Sequence, residues 1–146
     1  MYKRILVPID GSETAARGLT EAIRLAGEQQ AQLRLVHVLS DAYLNAVLLG
    51  GIYSGDLLQR IRDEADDILQ AAFKQASAAG ISADTQLLEH HSQQVGEAIV
   101  QEAGRWHADL IVMGTHGRRG FERAMMGSDA EYVARHTPVP LLLLRA

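Results

Sequence analysis

Short, dense apolar runs alternate along this chain with longer stretches whose apolar residues recur at helical spacing, and this alternation constrains the fold more than any other feature. A strand buried on both faces has no polar side to show and reads as a continuous run, whereas a helix covering it needs only an apolar stripe. The runs are Ile5 to Ile9, Leu33 to Leu39, Leu110 to Met113 and Val139 to Leu144, with a half-polar candidate at Ala83 to His90. Ala15, Leu19, Ala22, Ile23 and Ala26 mark a first helical stripe, and Leu58, Ile61, Ala65, Ile68, Leu69, Ala72 and Phe73 a longer second one. Val95, Ile99, Ala103 and Trp106 mark a third, and Ala130, Val133 and Ala134 a short fourth. The order βαβαβαβαβ predicts one α/β domain over residues 1–146: a doubly wound, five-stranded parallel sheet with helices on both faces. At 146 residues the chain has material for a single core.

Strand order follows from how apolar each run is. The segment Ala83 to His90 is half polar, which suits an edge. The segment Val139 to Leu144 contains Pro140, which removes a ladder donor and is tolerated mainly at an edge. With those two outermost, right-handed crossovers give the order 3-2-1-4-5, which reverses direction between the first and fourth strands. Ligands in open α/β sheets bind beyond the carboxyl ends of the strands at such a reversal. An intensely apolar edge invites pairing, so a homodimer through Val139 to Leu144 is expected, the alternative being a loop or helix that covers it. Pro8 is tolerable because it stands at the exit of its strand.

Charge and composition remove several function classes. A net charge of −4 leaves no global basic field for duplex nucleic acid or anionic membrane, so neither is an expected partner. The absence of cysteine excludes disulfides, thiolate metal sites and a cysteine nucleophile. The apolar run near the amino terminus is too short for a signal peptide or membrane span, and a cytoplasmic location is expected.

The most unusual stretch is GTHGRRGFERAMMGS, Gly114 to Ser128, which places Gly114, Gly117, Gly120 and Gly127 between the fourth strand and a helix. Glycine lets backbone N–H groups approach a ligand closely, and a following helix N-terminus adds unpaired donors and partial positive charge, a combination suited to phosphate. The P-loop pattern does not occur, and the only lysines are Lys3 and Lys74. The dinucleotide fingerprint is absent too, since the first turn reads Asp10-Gly11-Ser12-Glu13.

The spacing G-x-x-G, nine residues, G-S, carried by Gly114, Gly117, Gly127 and Ser128, resembles the ATP-binding motif of the universal stress protein (UspA-type) family. The opening YKRILVPIDGS, the segment ADLIVMGTHGRRG and the closing TPVPLLLLR are similar to its members as well. The resemblance implies a five-stranded α/β domain, a homodimer through the last strand, and ATP with Mg2+ or Mn2+ in the crevice. It places Asp10 near the adenosine, Val38 beside the adenine through its backbone, and Met113 and Gly114 at the ribose or base. Gly117 would meet the ribose and first phosphates, and Gly127 with Ser128 the outer phosphates. Pro8, Ile9, His116, Arg118 and Asp129 complete the candidate binding set. Asp129 departs from the small apolar residue common there in the family: its carboxylate repels an anion, suits the helix dipole, or helps hold the metal.

Each of these residues also has a reading without a ligand. Ser128-Asp129-Ala130-Glu131 fits a capping box in which the serine caps its own helix. Asp10 fits an Asx-turn before Gly11. Arg118, Arg119 and Arg123 are solvated charges as readily as phosphate ligands, and His116 serves loop packing or approaches phosphate. His90 and His91 point to opposite faces of a strand and form no metal motif, and no nucleophile elbow surrounds Ser12. The apolar segment Asp41 to Tyr53 reads either as a flap over the crevice or as a short packed helix. The expected function is an ATP-binding regulatory protein that is not an enzyme. The alternatives are a weak ATPase or phosphotransferase using the same site, and a nucleotide-free interaction module.

Overall fold

In a computed structural model, residues 1–40, 45, 55–90, 94–116 and 125–145 are described. Nine elements follow one another among them: β1 (Arg4–Pro8), α1 (Glu13–Gln29), β2 (Gln32–Ser40), α2 (Gly55–Ala78), β3 (Ala83–His90), α3 (Val95–Arg105), β4 (Leu110–Gly114), α4 (Ser128–His136) and β5 (Leu141–Leu144). The sheet is parallel, in the order β3-β2-β1-β4-β5, as the apolar runs require.

Alternation along the strands divides the core into two layers. Ile5, Val7, Leu33, Leu35, Leu110 and Val112 face one side and meet Leu19, Ala22 and Ala26 of α1 and Leu69, Ala72 and Ala76 of α2. Leu6, Val36, Ile111 and Met113 face the other side and meet Ile99 and Ala103 of α3, Trp106, and Ala130 and Val133 of α4. Ala134, expected in the stripe of the fourth helix, is exposed, because only Ala130 and Val133 turn inward. Trp106 stands just past α3 as its C-cap rather than within it.

The last strand is shorter than its apolar run. It begins at Leu141, so Pro140 precedes it and offers only its carbonyl, which accepts from Ile111 N at 3.0 Å. Proline therefore costs the ladder nothing here. Leu141, Leu142, Leu143 and Leu144 lie at the sheet edge, each half-buried. At the exit of β1, Ile9 N donates to Val36 O at 2.7 Å. Since successive N–H groups point to opposite sides of a strand, the donor that Pro8 lacks would have faced β4. The β1–β4 ladder has already stopped there, at Ile5↔Leu110 and Leu6↔Ile111.

The opposite end of the sheet holds an ionic cluster that the sequence did not announce. Arg34 of β2 grips Asp84 with two hydrogen bonds of 2.8 Å and reaches the buried Glu102 of α3 at 3.0 Å. Its guanidinium lies 4.8 Å from the centre of the Trp106 ring. Among the described residues no helix is long and apolar enough to cross a membrane.

Candidate functional site

The strand order reverses between β1 and β4, and the residues leaving these two strands build the site. Beyond β1, Asp10 Oδ1 accepts from Ser12 N at 2.8 Å across Gly11, whose φ of +81° is a conformation glycine adopts without strain. The Asx-turn reading of Asp10 is therefore observed, and it holds the carboxylate at the crevice. Ser12 then caps α1, its Oγ accepting from Ala15 N at 3.2 Å. His37 Nδ1 lies 2.6 Å from the Ile9 carbonyl; a carbonyl only accepts, so this nitrogen carries the proton.

β4 and α1 meet more tightly than strand and helix usually do. A Cβ built on Gly114 would lie 2.6 Å from Thr14 Cβ and 2.8 Å from the Thr14 carbonyl carbon. The space that this glycine leaves is thus taken by α1, a different reason from clearance for a ribose. The buried Thr14 hydroxyl donates to the His116 carbonyl, tying the start of α1 to the chain just past β4. His116 Nδ1 pairs with Thr115 Oγ1 at 3.0 Å. Its other ring nitrogen, Nε2, is buried and has no hydrogen-bond partner among the described residues. A buried polar atom left in this way is a place where a polar ligand group gains a bond without displacing one.

The far end of the glycine stretch returns to the same point. Gly127 N donates to Thr115 O at 2.7 Å, so the start of α4 is held beside the exit of β4. Gly127 is the N-cap, with φ −64° and ψ 156°, and Ser128 is the first helical residue. The capping box, the alternative reading of Ser128, does not form, because Gly127 rather than Ser128 is the N-cap. The first N–H groups of an α-helix have no partner within it, and the Thr115 bond holds this helix start beside the exit of β4.

Asp129 is the second residue of α4. Its carboxylate stands near Gly96, in the first turn of α3, whose backbone N–H favours the charged form. Partial burial pushes its pKa above the ordinary carboxyl range; the Gly96 N–H opposes this, and the Asp10 carboxylate reinforces it. Ser128 and Asp129 line an open groove with Gln94, Val95 and Tyr132. Among the described residues no three His, Asp or Glu side chains converge as a cation site.

Pro8, Ile9, Asp10, Gly114, His116, Gly127, Ser128 and Asp129 therefore stand at the carboxyl ends of β1 and β4 or at the α4 start held against them. Val38 lies in β2, paired with Leu88 and packed toward α3. The Met113 side chain is core, so only its backbone is available to a ligand. Gly117 and Arg118, with Arg119, Gly120, Arg123, His91 and all of Asp41 to Tyr53 except Asn45, lie outside the described residues. Sequence reasoning missed Thr14, Thr115 and Gly96. The repeat Thr14, Gly18, Ala22, small residues at four-residue spacing, was the available signal that one face of α1 approaches a strand closely.

A sheet of this order defines a doubly wound α/β domain, a class in which ligands bind beyond the strand ends at the point of reversal. The sequence profile of the Universal stress protein family matches residues 1–145. Universal stress protein YxiE of Bacillus subtilis is 30% identical over 151 residues, covering 99% of this chain and 100% of its own. The solved structure of hypothetical protein MJ0577 superposes with a TM-score of 0.87 at 25% identity, over 100% of this chain and 97% of its own. A universal stress protein from Archaeoglobus fulgidus solved in complex with dAMP shares the fold, with a TM-score of 0.71 at 24% identity over 99% of this chain and 98% of its own. The chain belongs to the universal stress protein family.

Proposed function

We propose that this chain is an adenine-nucleotide-binding regulatory protein, holding ATP with Mg2+ or Mn2+ in the crevice between β1 and β4 and changing conformation or partners with its nucleotide state. The observation that carries the reading is the Gly127 N–H bond to Thr115 O, which sets a helix N-terminus against the exit of β4. The residues present fit such a ligand. The α4 start offers donors to phosphate oxygens, the orphaned His116 Nε2 is a further polar contact, and Asp10, with the backbone of Val38 and Met113, would hold the nucleoside. The metal would neutralise phosphate charge. The relative solved with dAMP lends support in that this fold has accommodated an adenine nucleotide.

Regulation is preferred to turnover because the Asp10 carboxylate already serves the turn after β1, where its Oδ1 accepts from Ser12 N. Assembly as a homodimer through β5, whose four half-buried leucines form an apolar edge, completes the reading. Native mass spectrometry of the purified protein tests it: the expected species is a dimer that carries or takes up adenine nucleotide. An empty protein that takes up no added Mg·ATP would overturn the proposal. Robust ATP conversion by the parent, lost in Gly117→Val, would replace regulation with enzymatic turnover.

A further inference from the structure

We infer that His37 is a positioning residue for nucleoside recognition: by occupying the Ile9 carbonyl it leaves the Val38 backbone N–H unpaired at the end of β1, open to a ring nitrogen of adenine. The inference rests on the nucleotide-binding reading for its ligand and deepens it.

The direction of the Val38 N–H follows from the ladder. Gln32 N donates to Lys3 O at 2.9 Å and Ile9 N to Val36 O at 2.7 Å, so the even-numbered residues of β2 turn their backbone polar groups toward β1. Leu33 N donates to Ser82 O at 2.9 Å, and the odd-numbered residues accordingly serve β3. In a parallel ladder a residue bonds to the two neighbours that flank the residue opposite it. Ile9 has taken Val36 O, so its own carbonyl is the acceptor that the next rung would give to Val38 N. That rung is not made among the described residues. The Ile9 carbonyl accepts instead from His37 Nδ1 at 2.6 Å, a side-chain bond in the place of a backbone one.

β1 ends at Pro8, and the chain turns at Gly11 into α1, so no further strand residue reaches Val38 from that side. Its N–H therefore faces the carboxyl end of β1, beside the turn that Asp10 holds. A half-buried backbone donor left in this way gains from a ligand that brings an acceptor. Ring nitrogens of adenine are such acceptors. Without a donor at position 37, the carbonyl of Ile9, a residue only 6% exposed, would recruit the Val38 N–H and close the rung against a ligand.

Amide NMR on the ligand-free chain reads the backbone part directly. In the parent, Val38 should exchange quickly and show no scalar coupling across a hydrogen bond to the Ile9 carbonyl carbon. His37→Leu should slow that exchange by about tenfold or more and bring the coupling up, since a new backbone bond forms. His37→Gln, whose side-chain amide still donates, should resemble the parent; His37→Phe is a second non-donating variant should the first fold poorly. Titration calorimetry with AMP reads the ligand part: the non-donating variants should bind about tenfold more weakly, the worth of one hydrogen bond, and His37→Gln within about threefold of the parent. A protected Val38 amide in the parent, equal AMP affinity in all the proteins, or equal weakening in His37→Gln and His37→Leu would overturn this inference alone. A parent that binds neither AMP nor Mg·ATP, with Val38 exchanging as expected, would overturn the nucleotide reading and the ligand assigned to Val38 with it.

Discussion

Thr14 occupies the space that a side chain on Gly114 would need, and its hydroxyl is bonded to the His116 carbonyl two residues farther on. One contact thus fixes both the approach of α1 to β4 and the direction in which the chain leaves β4 for the site. Gly114→Ala should destabilise the protein by about 1–3 kcal/mol or more, the cost of overpacking a site that cannot yield. Thr14→Ala should not rescue it, because the Thr14 Cβ and carbonyl carbon remain in the way. Urea unfolding of the single and double variants checks both statements.

Arg34 and Glu102 give a second prediction, remote from the crevice. Glu102 is 3% exposed and depends on Arg34 at 3.0 Å and on the more exposed Arg105 at 3.3 Å. Arg34→Met should cost about 3 kcal/mol, because it leaves the buried carboxylate with only the exposed Arg105 as its cation. Arg62→Met, which breaks only the exposed pair with Glu89, should cost less than about 1 kcal/mol. Chemical denaturation at fixed pH separates the two, and neither variant should alter nucleotide affinity.

Asp129 supplies a pH dependence whose sign is set by its surroundings. Its pKa is raised in the folded protein, by desolvation first and by Asp10 as well, so folding binds its proton more tightly than the unfolded chain does. Its contribution is most favourable below the ordinary carboxyl pKa of about 3.9 and is lost as pH rises through the window up to the raised value. Asp129→Asn should therefore be at least as stable as the parent at neutral pH, with its advantage shrinking as pH falls through that window. Melting curves of both proteins across the acid range would show it; an advantage that grows toward low pH would be the wrong sign.

What was legible in the sequence was whatever depended on near neighbours. Leu33 to Leu39 and Leu110 to Met113 read as central strands because burial on both faces leaves a dense apolar run, broken here only by Arg34 and His37. The half-polar Ala83 to His90 read as an edge for the same reason. The capping box, the alternative for Ser128, was suggested because Ser-Asp-Ala-Glu satisfies it locally, while the bond that holds the helix start comes from Thr115, on the other side of the glycine stretch. Asp129 stood out as a departure, yet Gly96, near its carboxylate, belongs to another helix and leaves no pattern linking the two. Arg34 lies inside the apolar run Leu33 to Leu39, and nothing in sequence joins it to Glu102. Gly114 was read as clearance for a ribose, and the close approach of α1 was not legible, since a glycine shows that room is needed but not what fills it.

The edge strand carries a prediction about assembly. Leu143 is half-buried on β5, and Lys at such a position discourages edge-to-edge pairing. Leu143→Lys should shift a dimer to monomer in sedimentation equilibrium. A parent protein that is already monomeric at all concentrations would remove β5 from the account of assembly.

The central claim is that an adenine nucleotide binds where β1 and β4 diverge, against the start of α4. Backbone amide NMR spectra recorded during titration with Mg·ATP test it most directly. The account predicts saturable shifts concentrated at Asp10 to Ser12, Val38, Gly114 to His116 and Gly127 to Asp129, with the face covered by α2 undisturbed. Unchanged spectra at millimolar nucleotide, or shifts confined to that α2 face, would contradict it.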